Sequence, residues 1–123
     1  FHVNVYNLAI WAETAGFSVL SANAGLSLFE PGFLLSGFAG AWAMDALDAA
    51  WFSFGFSCRV FLPARVHLDL WNLNAVVGEE IWSHWEATAG VQLWRAALGV
   101  GWHHNVIAAT VYSGPCLRAS FWL

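Results

Sequence analysis

Between residues 52 and 70 every second position is apolar: Phe52, Phe54, Phe56, Cys58, Val60, Leu62, Ala64, Val66, Leu68 and Leu70. A period of two over that length belongs to extended chain, whose successive side chains point to opposite faces. Pro63 cannot donate to a ladder, so the run predicts two strands, or one strand broken by a bulge or bend. A turn is expected within 74–80. The segments 81–88 and 91–101 flank Ala89-Gly90 as a hairpin, and 104–112 supplies a further strand before a Ser113-Gly114-Pro115 turn. The sheet is expected to be mostly antiparallel. Ile81, Trp85, Ala89 and Leu93 also recur at steps of four, so 79–98 has a helical alternative, with strand preferred.

The first fifth of the chain suggests another period. Across 5–23, Leu8, Trp11, Ala15, Val19 and Ala22 recur at steps of three and four, and Ile10, Phe17 and Leu20 broaden the stripe, which predicts a helix buried on more than one side. Asn4 can cap its first turn and Gly25 can end it. Gly16 inside it opposes the reading by about 1 kcal/mol relative to Ala. Segment 38–51 mixes alanines that favour helix with flanks that favour strand, and Asp45 and Asp48 would share one helical face as a solvated pair. Together these readings predict an α+β class, one central helix wrapped by an antiparallel sheet, in one domain over 1–123.

Composition limits the partners. The apolar fraction is 59%, with nine Trp and ten Phe, so the domain hides an extra face or meets lipid. Only 96–117 approaches the length of a helical span between charges, and it holds His103, His104, Asn105, Gly114 and Pro115, which hydrocarbon would leave unsatisfied. A soluble oligomer with an apolar interface is therefore expected. Four arginines against eight acids, with no lysine, leave no basic stripe for a phosphate backbone, so nucleic acid is not expected. The missing lysines and the first residue, Phe1, suggest a fragment, a processed chain or an engineered sequence. Cys58 and Cys116 fit free thiols as well as one disulfide, and no metal framework follows. No signal peptide is visible at the start, which makes the cytoplasm the default expectation.

His2-Val3-Asn4, followed by Trp11, Glu13 and Ala15, resembles the active-site motif of the thioesterase family typified by 4-hydroxybenzoyl-CoA thioesterase. The family's second Asn falls on Val5 and its Tyr on Leu8, with Tyr6 two places earlier. Phe61-Leu62-Pro63-Ala64-Arg65, then Asp69 and Val76-Val77-Gly78, is similar to the family's second recurring stretch, with the Asp displaced by one position. The resemblance covers most of the chain and makes 38–51 an insertion. It implies the hot-dog fold, hydrolysis of an acyl or aryl thioester carried on CoA or acyl-carrier protein, a homodimer with interface sites, and no cofactor or metal.

In that family the groups cluster at the front of the central helix, whose amides near Asn4 to Asn7 would polarise the thioester carbonyl. The resemblance makes His2 and Asn4 positioning groups and Glu13 the base or nucleophile, with Tyr6, Trp11, Arg59 and Arg65 contacting substrate. Many members carry a catalytic Asp just before this His, where the present chain begins, so a first strand and catalytic loop are expected to be missing. His67 and His84 are expected on a polar face, and His103 and His104, adjacent on a strand, on opposite faces. A second reading is a membrane-embedded or pigment-binding protein or small β-barrel with aromatics toward lipid, separable by its need for detergent. A third is an artificial domain without activity.

Overall fold

The computed structural model describes residues 2–11, 16–44 and 49–121, with side chains described within 20–44 and 49–120. Its elements are β1 (His2–Trp11), β2 (Gly16–Glu30), β3 (Phe33–Met44), β4 (Ala50–Phe61), β5 (Val66–Val77), β6 (Glu80–Leu93), β7 (Ala96–Ile107) and β8 (Thr110–Phe121), with a 3-10 turn at Pro63–Arg65. They form one eight-stranded sheet in chain order, each strand antiparallel to the next. At 10 to 15 residues the strands are about twice the common length of five or six.

The α+β expectation is overturned, and the hot-dog fold with it. Among the described residues there is no α-helix, and the segment expected to form the central one is divided between β1 and β2, paired from His2↔Gly25 to Trp11↔Gly16. In a chain so rich in apolar residues, steps of three and four find apolar partners by coincidence. The period that governs β2 is two: Leu20, Ala22, Ala24, Leu26 and Leu28 are all exposed, whereas Ser21 and Asn23 are buried. Segment 38–51 is the end of β3 and the start of β4, with 45–48 outside the described residues. The helical alternative over 79–98 is occupied by β6 and the start of β7.

Several expected turns lie inside strands. Ala89-Gly90 is in β6 and Gly114-Pro115 is in β8, whereas the reversals fall at Trp94-Arg95 and Ala108-Ala109. Ala108 and Ala109 have φ of 47° and 63°, the left-handed pair of a tight two-residue hairpin, built without the glycine or asparagine that usually marks it. The turn at Gly78-Glu79 and the break at Pro63 fall where the sequence placed them, and a further turn lies at Pro31-Gly32.

The sheet is rolled. Trp42 on β3 and Trp82 on β6 approach to 5.6 Å between ring centroids, and the Arg118 guanidinium on β8 lies 5.2 Å over Trp71 on β5. Three strand spacings in a flat sheet span about 14 Å, so one face must be concave. Glycines on that face permit the curvature. Gly40 sits between Asn23 and Ser53 in register, and Ser53 Oγ donates to Asn23 Oδ1 across it at 2.8 Å. A Cβ at Gly40 would press on the Ala22 carbonyl and lie 2.7 Å from the Asn23 Cα. At Gly55 a Cβ would likewise press on a carbonyl, that of Asn72, and would also stand 2.8 Å from the Phe38 ring, which stacks on Trp71 at 5.7 Å.

Candidate functional site

The alternation that builds the strands sorts polar from apolar in the direction opposite to a water-soluble domain. Among the described residues the largest fully buried side chains are His67, Asn72, Asn105, Ser21 and Ser53, all polar, and all but Asn72 face the concave side. Arg59, His84, Glu86 and Thr88 are buried as well. Outside, large apolar groups are open on every strand from β2 to β8, with Leu26 at 71%, Val100 at 61% and Leu117 at 85% exposure.

The concave side has two layers. Toward the end where β3 leads to β4 and β5 to β6, Phe38, Trp42, Met44, Trp71, Leu73 and Ala75 pack together, with Trp51, Val77 and Trp82 against them. Toward the other end the lining is ionic. Arg59 makes a two-pronged bond to Asp69, Nε to Oδ1 at 2.6 Å and Nη2 to Oδ2 at 2.7 Å, and His67 Nε2 lies 3.5 Å from the same carboxylate. Arg118 reaches from β8 across β7 to Glu86 on β6 at 2.9 Å, and Glu86 lies 3.5 Å from His84. His84 bonds Asn105, which bonds His103 at 2.6 Å. Two arginines and two carboxylates thus balance in charge inside. Ser21 Oγ, Asn23 Nδ2, His67 Nδ1 and Thr88 Oγ1 are buried with no protein partner among the described residues, a polar demand that an apolar core does not carry.

The convex side has few polar groups. Asn72 donates to the His84 carbonyl at 3.2 Å and accepts from Asn74 at 2.6 Å. Its neighbours in register, Phe56 and Trp85, meet over it with centroids 5.6 Å apart. His104 bonds Ser113 at 2.7 Å. His103 and His104 do face opposite ways, one half-buried and one exposed. Cys58 and Cys116 are free thiols.

The residues proposed to act on a thioester fall on β1, on β4 and in the turn before β5, apart from Glu13. His2, Asn4, Tyr6 and Trp11 stand on β1 opposite Gly25, Asn23, Ser21 and Gly16, with no helix end near Asn4, and Glu13 lies outside the described residues. Arg59 is buried against Asp69, whereas Arg65 is exposed in the Pro63–Arg65 turn. Sequence reasoning passed over His67, Asp69, His84, Glu86, Asn105 and Arg118 as a connected set. Their signal was parity: 67 and 69 are polar at alternate places among Val66, Leu68 and Leu70, and 84 and 86 flank Trp85, whereas His104 between His103 and Asn105 masks the third pair. Comparison of the chain with known protein families, curated proteins and solved structures finds no match.

Proposed function

We propose that this chain is a membrane-spanning β-barrel, closing β1 onto β8, with lipid acyl chains covering its convex face and side chains filling its interior. The observation that carries the reading is the inverted sorting of polar and apolar residues. Transmembrane barrels alternate apolar-out with polar-in, and an eight-stranded interior is just wide enough to be filled by side chains. The strand lengths agree. Twelve residues rise about 40 Å along a strand, or about 30 Å along an axis tilted by roughly 40°, which matches the hydrocarbon thickness. No helix among the described residues is long and apolar enough to cross a membrane, so the strands would do so.

Energetics favour lipid over water or a second copy. Twenty-four large apolar side chains are exposed among the described residues. Burying each is worth about 1.5–3 kcal/mol, a sum of tens of kcal/mol against a typical net stability of about 5–15. A dimer interface of standard size covers about 800 Å² per partner, against 7670 Å² of accessible surface here. One flat patch cannot cover apolar groups distributed around seven strands. Lipid can.

The interior favours a closed membrane element rather than an open pore, because a tryptophan-rich layer and an ionic layer both occupy the concave face. Thioester hydrolysis, expected from the sequence, relied on amides at a helix N-terminus, and the membrane reading replaces it as our proposal. The test is refolding into phosphatidylcholine vesicles followed by flotation, strand circular dichroism and protease protection. The protein is expected to float with the vesicles and to aggregate without lipid or detergent. A stable, monodisperse strand-rich protein in plain buffer would overturn the proposal.

A further inference from the structure

Charge is divided between the two ends of the rolled sheet. One end holds the turns Pro31-Gly32, Pro63–Arg65 and Trp94-Arg95, and there the ionic residues are Glu30, Arg65 and Arg95. The opposite end holds Glu79 and Glu80 at the β5–β6 turn and Ala108-Ala109 at the β7–β8 turn. The connections from β1 to β2 and from β3 to β4, outside the described residues, carry Glu13, Asp45 and Asp48 in sequence. The remaining ionic residues, Arg59, Asp69, Glu86 and Arg118, are the pairs on the concave face. Among the described residues, all cationic charge not paired inside the sheet therefore stands at one end, and Glu79 and Glu80 stand at the other.

The arginine end has further features of a headgroup surface. Trp94 is 82% exposed, and the Arg95 guanidinium lies 5.0 Å over its ring. Phe29 and Phe33 flank the Pro31-Gly32 turn, both exposed, and Phe29 meets Phe61 edge-on at 6.1 Å. Tryptophan and arginine together suit the boundary between acyl chain and headgroup, where an indole is half wet and a guanidinium can bond phosphate with two donors.

We propose that the Arg65–Trp94–Arg95 end is a docking surface for anionic phospholipid headgroups, and that the acidic end excludes them. The inference rests on the membrane-spanning reading and adds to it a lipid preference and a polarity. A basic residue near an anionic lipid surface is worth about 1 kcal/mol, close to a fivefold enrichment, so two arginines give local enrichment of up to about thirtyfold, which Glu30 at the same end lowers toward fivefold.

The test places one fluorophore at each end in a Cys58→Ala, Cys116→Ala background, through Pro31→Cys at the arginine end and Ala108→Cys at the acidic end. Vesicles contain mostly phosphatidylcholine and a minor fraction of phosphatidylglycerol, with a headgroup nitroxide on one lipid or the other. Labelled phosphatidylglycerol is expected to quench the Pro31→Cys site at least threefold more effectively than the Ala108→Cys site. That ratio should fall toward one in 1 M salt, where the screening length is about 3 Å, and in Arg65→Gln, Arg95→Gln protein. Labelled phosphatidylcholine is expected to quench both sites alike. A phosphatidylglycerol ratio of one at low salt, with phosphatidylcholine quenching both ends, would overturn the headgroup inference and leave the membrane reading standing. Quenching of neither site by either lipid would overturn the membrane reading itself.

Discussion

Arginine in place of Val100 tests where the convex face resides. Val100 is the fifth residue of β7, close to the middle of the strand, and is 61% exposed between Ala89 on β6 and Leu117 on β8. If water covers this face, Val100→Arg exchanges one exposed side chain for another and its cost stays within about 0.5 kcal/mol. If acyl chains cover it, a guanidinium at mid-depth costs about 2–4 kcal/mol, falling to about 0–1 near the headgroups. Ile81 is the matching control, because it is equally open at 63% but is the second residue of β6.

The assay is equilibrium unfolding by guanidinium in phosphatidylcholine vesicles, followed by the fluorescence of the nine tryptophans. Val100→Arg is expected to lose at least 2 kcal/mol, about thirtyfold in the folding equilibrium, and Ile81→Arg less than 1. Equal losses, or a loss below 0.5 kcal/mol at Val100, would refute a lipid-covered convex face.

Removing Arg118 strands a buried carboxylate, so Arg118→Ala is expected to cost about 3–5 kcal/mol in the same assay, and Arg118→Met with Glu86→Leu markedly less, since an apolar pair leaves no charge behind. Gly40→Ala is expected to destabilise by about 1–3 kcal/mol through its clash with the Ala22 carbonyl, whereas Gly37→Ala, with open space around its Cβ position, should stay within about 0.5; similar values would remove the close-approach argument. Replacing Ala108-Ala109 by Asn-Gly relieves two left-handed alanines and is expected to stabilise by about 1–2 kcal/mol, read as a raised unfolding midpoint. Reconstituted in planar bilayers, the protein is expected to carry no steady single-channel current, and a discrete open level of stable conductance would contradict a filled lumen.

The alternation from 52 to 70 was legible because its apolar places are occupied by large residues, and Pro63 marked the change of strand. β1 and β2 were harder to recognise. Their polar places hold Asn and Ser and many apolar places hold Ala, so the contrast between the two parities is small and a helical stripe can be drawn through the same letters. The reversals at Trp94-Arg95 and Ala108-Ala109 carried no turn residues, while Gly90 and Gly114, which look like turn residues, lie inside strands. At Gly90 the neighbouring strands explain the glycine, whereas Gly114 has room for a Cβ. A Cβ on Gly90 would lie 2.8 Å from the Gly99 Cα and from His67 Nε2, and one on Gly114 would lie 3.4 Å from His103 Nε2.

The ionic interior escaped a reading that looks for chemistry among neighbours in sequence. Arg59 and Asp69 are ten positions apart but directly opposed in the β4–β5 register, and Glu86 meets Arg118 only because β8 returns within reach of β6. Inside a membrane barrel such pairs have a structural reason that a soluble core lacks. Lumen-facing positions need side chains that fill space without raising the outward apolar surface, and arginine does so with a long stem and a head satisfied by a carboxylate on a nearby strand. An arginine–carboxylate pair also opposes register slip, because a one-residue shift of β4 would turn Arg59 toward acyl chains and Phe56 and Val60 inward and leave Asp69 without its partner inside. In lipid that slip would expose charge to hydrocarbon, at a cost of about 2–4 kcal/mol per buried arginine near the midplane. The same pairs that leave the interior polar therefore hold the strands in register, and they do so more strongly in a bilayer than in water.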